Sequence, residues 1–162
     1  MGITWLRVAA VTCGLVASAG LFTVVSSQAQ APGPPTGTLQ LMQRERDARF
    51  RFLDVPPRRG ERGRPNAGDG FIITGPVRDQ AGQRAGRLQA VFVITNVRRE
   101  QAEGTATFLL TGGRITLSGA ETRADVEDFA ITGGTGRYAG ARGTMRLTEG
   151  RNTTGFLFTF MG

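Results

Sequence analysis

Three places in the chain carry residue types whose spacing could do chemistry. Gly134-x-Gly136-x-x-Ala139 follows the apolar stretch Ala130-Ile131-Thr132 and has the glycine spacing of a turn that cradles a dinucleotide pyrophosphate. Arg58, Arg59, Arg62 and Arg64 crowd into seven positions, a density that suits phosphates, anionic lipid headgroups or an acidic polysaccharide. The acids Asp69, Asp79, Glu127 and Asp128 are candidates for general acid/base work, provided two of them face one another across a cleft.

Each signal weakens in its context. A pyrophosphate site needs a helix starting at the last glycine, and Gly140 and Gly143 prevent one; the segment reads instead as a tight, glycine-dependent connection between two strands, closed over by Tyr138. Glu127 and Asp128 are sequence neighbours, so on a strand they point to opposite faces, while Asp69 and Asp79 sit where strands end and aspartate serves turns. No two acids are thereby placed across a common cavity, and no Asp/Asn spacing matches a calcium loop. The arginines lie in Pro56-Pro57-Arg58-Arg59-Gly60-Glu61-Arg62-Gly63-Arg64-Pro65, whose Pro and Gly content forbids a regular element and suits a solvated loop.

Composition excludes more. All 20 basic residues are Arg, there is no His, and the only Cys and Trp are Cys13 and Trp5. Beyond those positions the chain has no histidine acid/base, no thiol nucleophile, no Schiff-base lysine and no His/Cys zinc set, and no cofactor or metal is called for. The formal net charge is +7, but the excess is local: Arg44 to Arg64 holds eight Arg against four acids, while Pro65 to Gly162 is nearly balanced. Nucleic-acid modules add stacking aromatics or a recognition helix to such a run, and neither accompanies this one.

Arg7, the uncharged run Val8 to Val25 and the small-residue stretch Ser26 to Ala31 have the pattern of a secretory signal peptide, residues 1–29, with cleavage after Ala29 or after Ala31; retention as an anchor is the alternative reading. The expected product is secreted or periplasmic, free of the membrane after cleavage, and about 133 residues long, enough for one core without disulfides. Exclusive use of Arg points to a GC-rich, bacterial genome.

After a flexible lead-in over 30–38, apolar residues recur at every second position in segment after segment. Leu39/Leu41, Phe50/Phe52, Phe71/Ile73, Leu88/Ala90/Phe92/Ile94 and Phe156/Phe158/Phe160 each mark one face of a strand. Arg84 to Thr95 reads as the longest strand, Asp79-Gln80-Ala81-Gly82 as a turn, and Gly112-Gly113 as a two-residue hairpin. About eight strands at hairpin spacing give an all-β, antiparallel domain over 39–162 that closes into a barrel or stacks as a sandwich.

Asp128-Phe129-Ala130-Ile131-Thr132-Gly133-Gly134-Thr135-Gly136, continuing through Tyr138, Gly140 and Gly143, resembles the signature of the allene oxide cyclase and dirigent barrels. Gly68-Asp69, Gly86-Arg87-Leu88-Gln89-Ala90, Gly113-Arg114-Ile115-Thr116-Leu117-Ser118-Gly119 and Phe156-Leu157-Phe158-Thr159-Phe160 match in the same order, and the resemblance spans about Leu39 to Gly162. It implies an eight-stranded antiparallel β-barrel, a homotrimer or other homo-oligomer, and an interior that takes one small hydrophobic molecule, lipid- or polyketide-like. It also implies catalysis by conformational restriction and exclusion of water, which needs no His, Cys or Lys.

Against the plant cyclases the chain departs at the charge-stabilising positions: Leu41 or Met42 stands where the family has a Glu, Gln43 or Arg44 where it has an Asn, and Gly75 where it has a second Asn. The expectation is therefore a barrel that binds a hydrophobic molecule and steers its cyclisation or coupling in an isomerase- or dirigent-like manner, distinct from true allene oxide cyclisation. Leu41, Gln43, Phe71, Ile73 and Phe92 are the cavity-lining candidates. The alternatives are that these side chains fill the interior as plain core, or that a solid barrel is a non-enzymatic scaffold touching an anionic polymer or surface through Arg58, Arg59, Arg62 and Arg64.

Overall fold

The structure is a computed structural model that describes residues 33–55, 65–122 and 124–162. The segments expected to be a signal peptide and an arginine loop, with Arg58, Arg59, Arg62 and Arg64, lie outside the described residues.

The described residues form nine strands: β1 (Gly37–Arg44), β2 (Arg49–Leu53), β3 (Gly70–Arg78), β4 (Arg84–Asn96), β5 (Gln101–Leu110), β6 (Gly113–Glu121), β7 (Val126–Gly136), β8 (Gly143–Glu149) and β9 (Thr153–Phe160). All pair antiparallel in the order β1-β9-β8-β7-β6-β5-β4-β3-β2, and a further β1–β3 pairing at Met42 and Arg78 closes the sheet on itself. The barrel has eight staves, and β2 is an extra strand. A short 3-10 helix, Glu45–Asp47, interrupts the first stave, so that β1 closes the barrel against β3 and β9 while β2 pairs with the other half of β3. Closure leaves few free edges, which is how an antiparallel meander avoids pairing with other chains.

β4 is the longest strand, at 13 residues, and its two faces separate as alternation demands. Leu88, Ala90 and Phe92 are buried, whereas Gln89, Val91, Val93 and Thr95 face outward. On β9, Phe156, Phe158 and Phe160 are all buried, with the intervening Leu157 and Thr159 exposed. The turn at Asp79–Gly82 is present: the Gly82 amide donates to the Asp79 carbonyl at 3.0 Å, the Gln83 amide to the Asp79 carboxylate at 2.8 Å, and Gly82 takes φ +76°.

Two local expectations are corrected. The hairpin after β5 turns at Thr111-Gly112, because Leu110 pairs with Gly113. Gly133-Gly134-Thr135-Gly136 is not a connection but the end of β7, paired with β6 from Gly113 to Thr116; the connection is 137–142. Glycine is needed there for close approach: a side chain at Gly134 would collide with the carbonyl oxygen of Tyr138, which folds back over the strand, buried and stacked on Phe160 at 6.3 Å.

One half of the interior is solid. Phe108, Phe158 and Ile115 are fully enclosed, and Phe108 meets Phe158 edge-on at 5.0 Å and Phe156 at 5.1 Å. Edge-to-face pairs of this kind add to the stabilisation from burial alone. The other half is built from smaller inward residues, and that difference creates the cavity.

Candidate functional site

Eight strands enclose barely enough room for side chains, so a cavity appears only where inward positions are small. Here they are: Ala90 and Ala106 project inward from β4 and β5 onto the space. The space so created, about 410 Å³, lies at one end of the barrel. That is the size of a pocket for a small organic molecule.

Its wall is mostly apolar and aromatic, formed by Phe92, Phe108, Phe129 and Phe156 with Ile73, Leu88 and Met145. Rings from four strands form a continuous arc, because Phe50 stacks on Phe71 at 5.4 Å, Phe71 on Phe92 at 5.2 Å, and Phe92 meets Phe129 edge-on at 6.1 Å. Of the five residues expected to line the cavity, Gln43, Ile73 and Phe92 are on its wall. Leu41 is buried in the core cluster and Phe71 faces an adjoining space of about 400 Å³, which shares Glu121 and Thr122 with the first.

Gln43 is the inward residue of the pair Gln43/Arg44; Arg44 lines a separate outer groove with Glu45 and Arg46. Although only 4% exposed, Gln43 leaves its Nε2 without a hydrogen-bond partner. A buried unpaired amide costs about 1–3 kcal/mol, and this one is packed into the space over Gly75.

The mouth carries a feature that sequence spacing did not anticipate. Glu121 ends β6, Glu127 is the second residue of β7 and Glu149 ends β8, and all three border the cavity together with Glu45. The expectation that no carboxylates share a cavity is overturned: neighbouring antiparallel strands bring one end of each to the same rim. Glu127 and Asp128 do point to opposite faces, as alternation requires. Glu127 is buried and accepts hydrogen bonds from the Thr122 backbone amide and, at 2.7 Å, from the Thr122 hydroxyl. Asp128 lies outside in a two-point pair with Arg146 at 2.9 and 3.0 Å, which lowers its pKa.

Glu121 is the perturbed group at the rim. Burial first, then the charges of Glu127 and Glu149, push its pKa from 4.5 to about 7. Such a carboxyl can hold or release a proton near neutrality, which is what a general acid or base must do. Among the described residues no cluster of His, Cys, Asp and Glu is arranged to hold a metal ion.

Asp69 belongs to the framework and not to the cavity. Its carboxylate, 2% exposed, accepts from the Val55 amide at 2.9 Å and the Asn66 amide at 2.7 Å, tying β2's exit to β3's entry.

No family model matches the sequence, and no curated protein matches it either. Solved structures do. Pyocyanin demethylase superposes with a TM-score of 0.62 at 21% identity, covering 77% of this chain and 100% of its own. A pterocarpan synthase dirigent protein gives 0.53 at 15% identity, covering 77% and 94%. The Diels Alderase AbmU from Streptomyces koyangensis gives 0.57 at 14% identity, covering 77% of this chain and 64% of its own. The fold of this chain is therefore the β-barrel fold of these three proteins, as its sequence motifs lead one to expect.

Proposed function

We propose that this protein is a secreted bacterial barrel that binds one small hydrophobic molecule and steers its cyclisation or coupling by shape. The observation that carries the reading is the cavity of about 410 Å³, mostly apolar along its wall and open at one end, with Gln43 among its lining residues. That cavity supports this reading over one in which the interior is wholly filled. The names of the structural neighbours, a demethylase, a dirigent protein and a Diels Alderase, are those of proteins that act on small organic molecules, and they support the same reading.

Chemically, the site offers confinement and one carboxyl that titrates near neutrality. Confinement in a water-poor space lowers the entropy cost of reaching a reactive conformation. Glu121, which borders the cavity, would shuttle a proton. The first strand carries Leu41 or Met42 where the resemblance to the plant cyclases implies a carboxylate, and the carboxyl groups on β6 to β8 border the cavity instead. This argues for a reaction other than allene oxide cyclisation.

The test uses the neutral fluorescent probe N-phenyl-1-naphthylamine, together with native mass spectrometry of protein purified from its own host. The probe is expected to saturate at one per barrel, and a small organic molecule to co-purify. Ala106→Phe, which fills the cavity from β5, is expected to abolish probe binding in a barrel that still melts cooperatively. A wild-type barrel that neither binds the probe nor carries a small molecule overturns the proposal.

A further inference from the structure

We infer that β2 is an aromatic strap at the mouth of the cavity: a molecule seated there draws the strap inward, and the Phe50 ring closes against it. The inference rests on the cavity-binding reading above and adds to it a contact residue and a movement.

The first support is how β2 is attached. It stands last in the strand order, and among the described residues it pairs along one edge only, with β3, from Arg49 opposite Thr74 to Leu53 opposite Gly70. Its two ends are tethered. Before it, the Glu45 amide donates to the Asn152 carbonyl at 3.0 Å and Asp47 pairs with Arg78 at 3.5 Å; after it, the Val55 amide donates to the Asp69 carboxylate at 2.9 Å. A strand held at both ends and along one side can bend in its middle without losing its place, and it does so at lower cost than a stave locked between two neighbours.

The second support is the direction its side chains take. Cross-strand partners share a face, so Phe50 stands beside Ile73 on the cavity wall and Phe52 beside Phe71 at the adjoining space. Both rings face the interior, yet Phe50 is 65% exposed and Phe52 44%. On β9 the inward Phe156, Phe158 and Phe160 are buried, as large apolar side chains on an inner face ordinarily are. Arg49 and Arg51 take the outer face of β2 and are exposed, so the strand turns its aromatic side to the cavity and its charged side to water.

The third support is the surface left for a ligand. Phe71 stacks on the Phe50 ring at 5.4 Å with 24° between the planes, which leaves most of that ring in water at the edge of an apolar cavity. An apolar molecule in the cavity buries this surface together with its own, and that burial is the force that pulls the strap in. Ala48, one residue before β2, lines the same cavity, so the strap meets the ligand along its length and not at Phe50 alone.

Hydrogen exchange of the wild-type protein, with and without saturating N-phenyl-1-naphthylamine, tests the movement. At exchange times too short for global unfolding, the probe is expected to slow the β2 amides at least about tenfold and to leave those of Tyr138 and Ala141, at the opposite end of the barrel, unchanged. Phe50→Ala tests the contact: it is expected to weaken the probe at least about tenfold while moving the melting temperature by no more than about 4 °C, because the ring is largely in water. Phe50→Trp is expected to keep binding. If exchange in β2 does not respond to the bound probe, β2 is a fixed wall and the proposal is wrong; it is equally wrong if Phe50→Ala binds as tightly as wild type. In either case the cavity reading stands as long as Ala106→Phe abolishes binding. Should Phe50→Ala melt far below wild type, the exchange measurement on the wild type decides alone. If the wild type binds no probe, both readings fail.

Discussion

Gly75 and Gln43 are complementary in shape: a methyl group at position 75 would lie 2.5 Å from Gln43 Nε2 and 2.7 Å from the Asp47 carbonyl oxygen. The empty side-chain space of one residue is what the amide of the other occupies. Gly75→Ala is expected to destabilise the barrel by about 1–3 kcal/mol through overpacking. Gln43→Met, which replaces an unpaired donor with a flexible apolar chain, is expected to stabilise it by about 1 kcal/mol. Because the two side chains compete for one space, a double-mutant cycle by urea unfolding is expected to show coupling of about 0.5–3 kcal/mol. Strict additivity would refute the pairing.

Glu121 predicts the pH dependence of stability. Its folded-state pKa, about 7, is above the ordinary 4.5, so the folded barrel binds the proton more tightly than the unfolded chain does. Its contribution is therefore most favourable at low pH and declines as pH rises from about 4.5 to about 7, beyond which it is constant. Glu121→Gln is expected to flatten this part of the stability profile, leaving the variant more stable than wild type at alkaline pH. Melting curves across that range check it; parallel profiles for the two proteins would contradict the assignment.

Asp69 should matter through the backbone. Asp69→Ala orphans the Val55 and Asn66 amides that its carboxylate holds at 2.9 and 2.7 Å. The expected cost is about 1–3 kcal/mol for each amide that water does not reach. Denaturant unfolding measures it, and hydrogen exchange at Val55 and Asn66 is expected to accelerate selectively.

Adjacent residues on β9 give a contrast of faces. Phe158 is wholly buried against Phe108, whereas Leu157 is 40% exposed. Phe158→Ala is expected to cost about 3–5 kcal/mol, and Leu157→Ala no more than about 0.5 kcal/mol if it behaves as an ordinary surface position. Equal losses in unfolding experiments would mean that the outer face of β9 is covered in solution.

Local alternation was enough to identify most of the strands and, on β4 and β9, their buried faces, because a period of two depends only on the pleat of the chain itself; on β2 it was not, since Phe50 and Phe52 are both exposed. Leu88, Ala90 and Phe92 on β4, and Phe156, Phe158 and Phe160 on β9, were legible for that reason. The family-like motifs also pointed to a closed barrel. What a residue does relative to residues on other strands was not legible. Nothing local marks Gly133 to Gly136 as strand, since glycine has no side chain to alternate; its pairing with Gly113 to Thr116 decides it. The break at Glu45–Asp47 lets one stave serve both β9 and β3, a consequence of closure with stagger. Leu41 and Phe71 share the periodicity of Gln43, Ile73 and Phe92, but only the volumes of side chains on other staves determine which of them border empty space. Glu121, Glu127 and Glu149 look like three unrelated strand ends until register places them on one rim beside Gln43. The sequence by itself determined the strands and their inner faces; the tertiary structure decided where the barrel is hollow and which charges guard the opening, because both depend on packing between residues far apart in the chain.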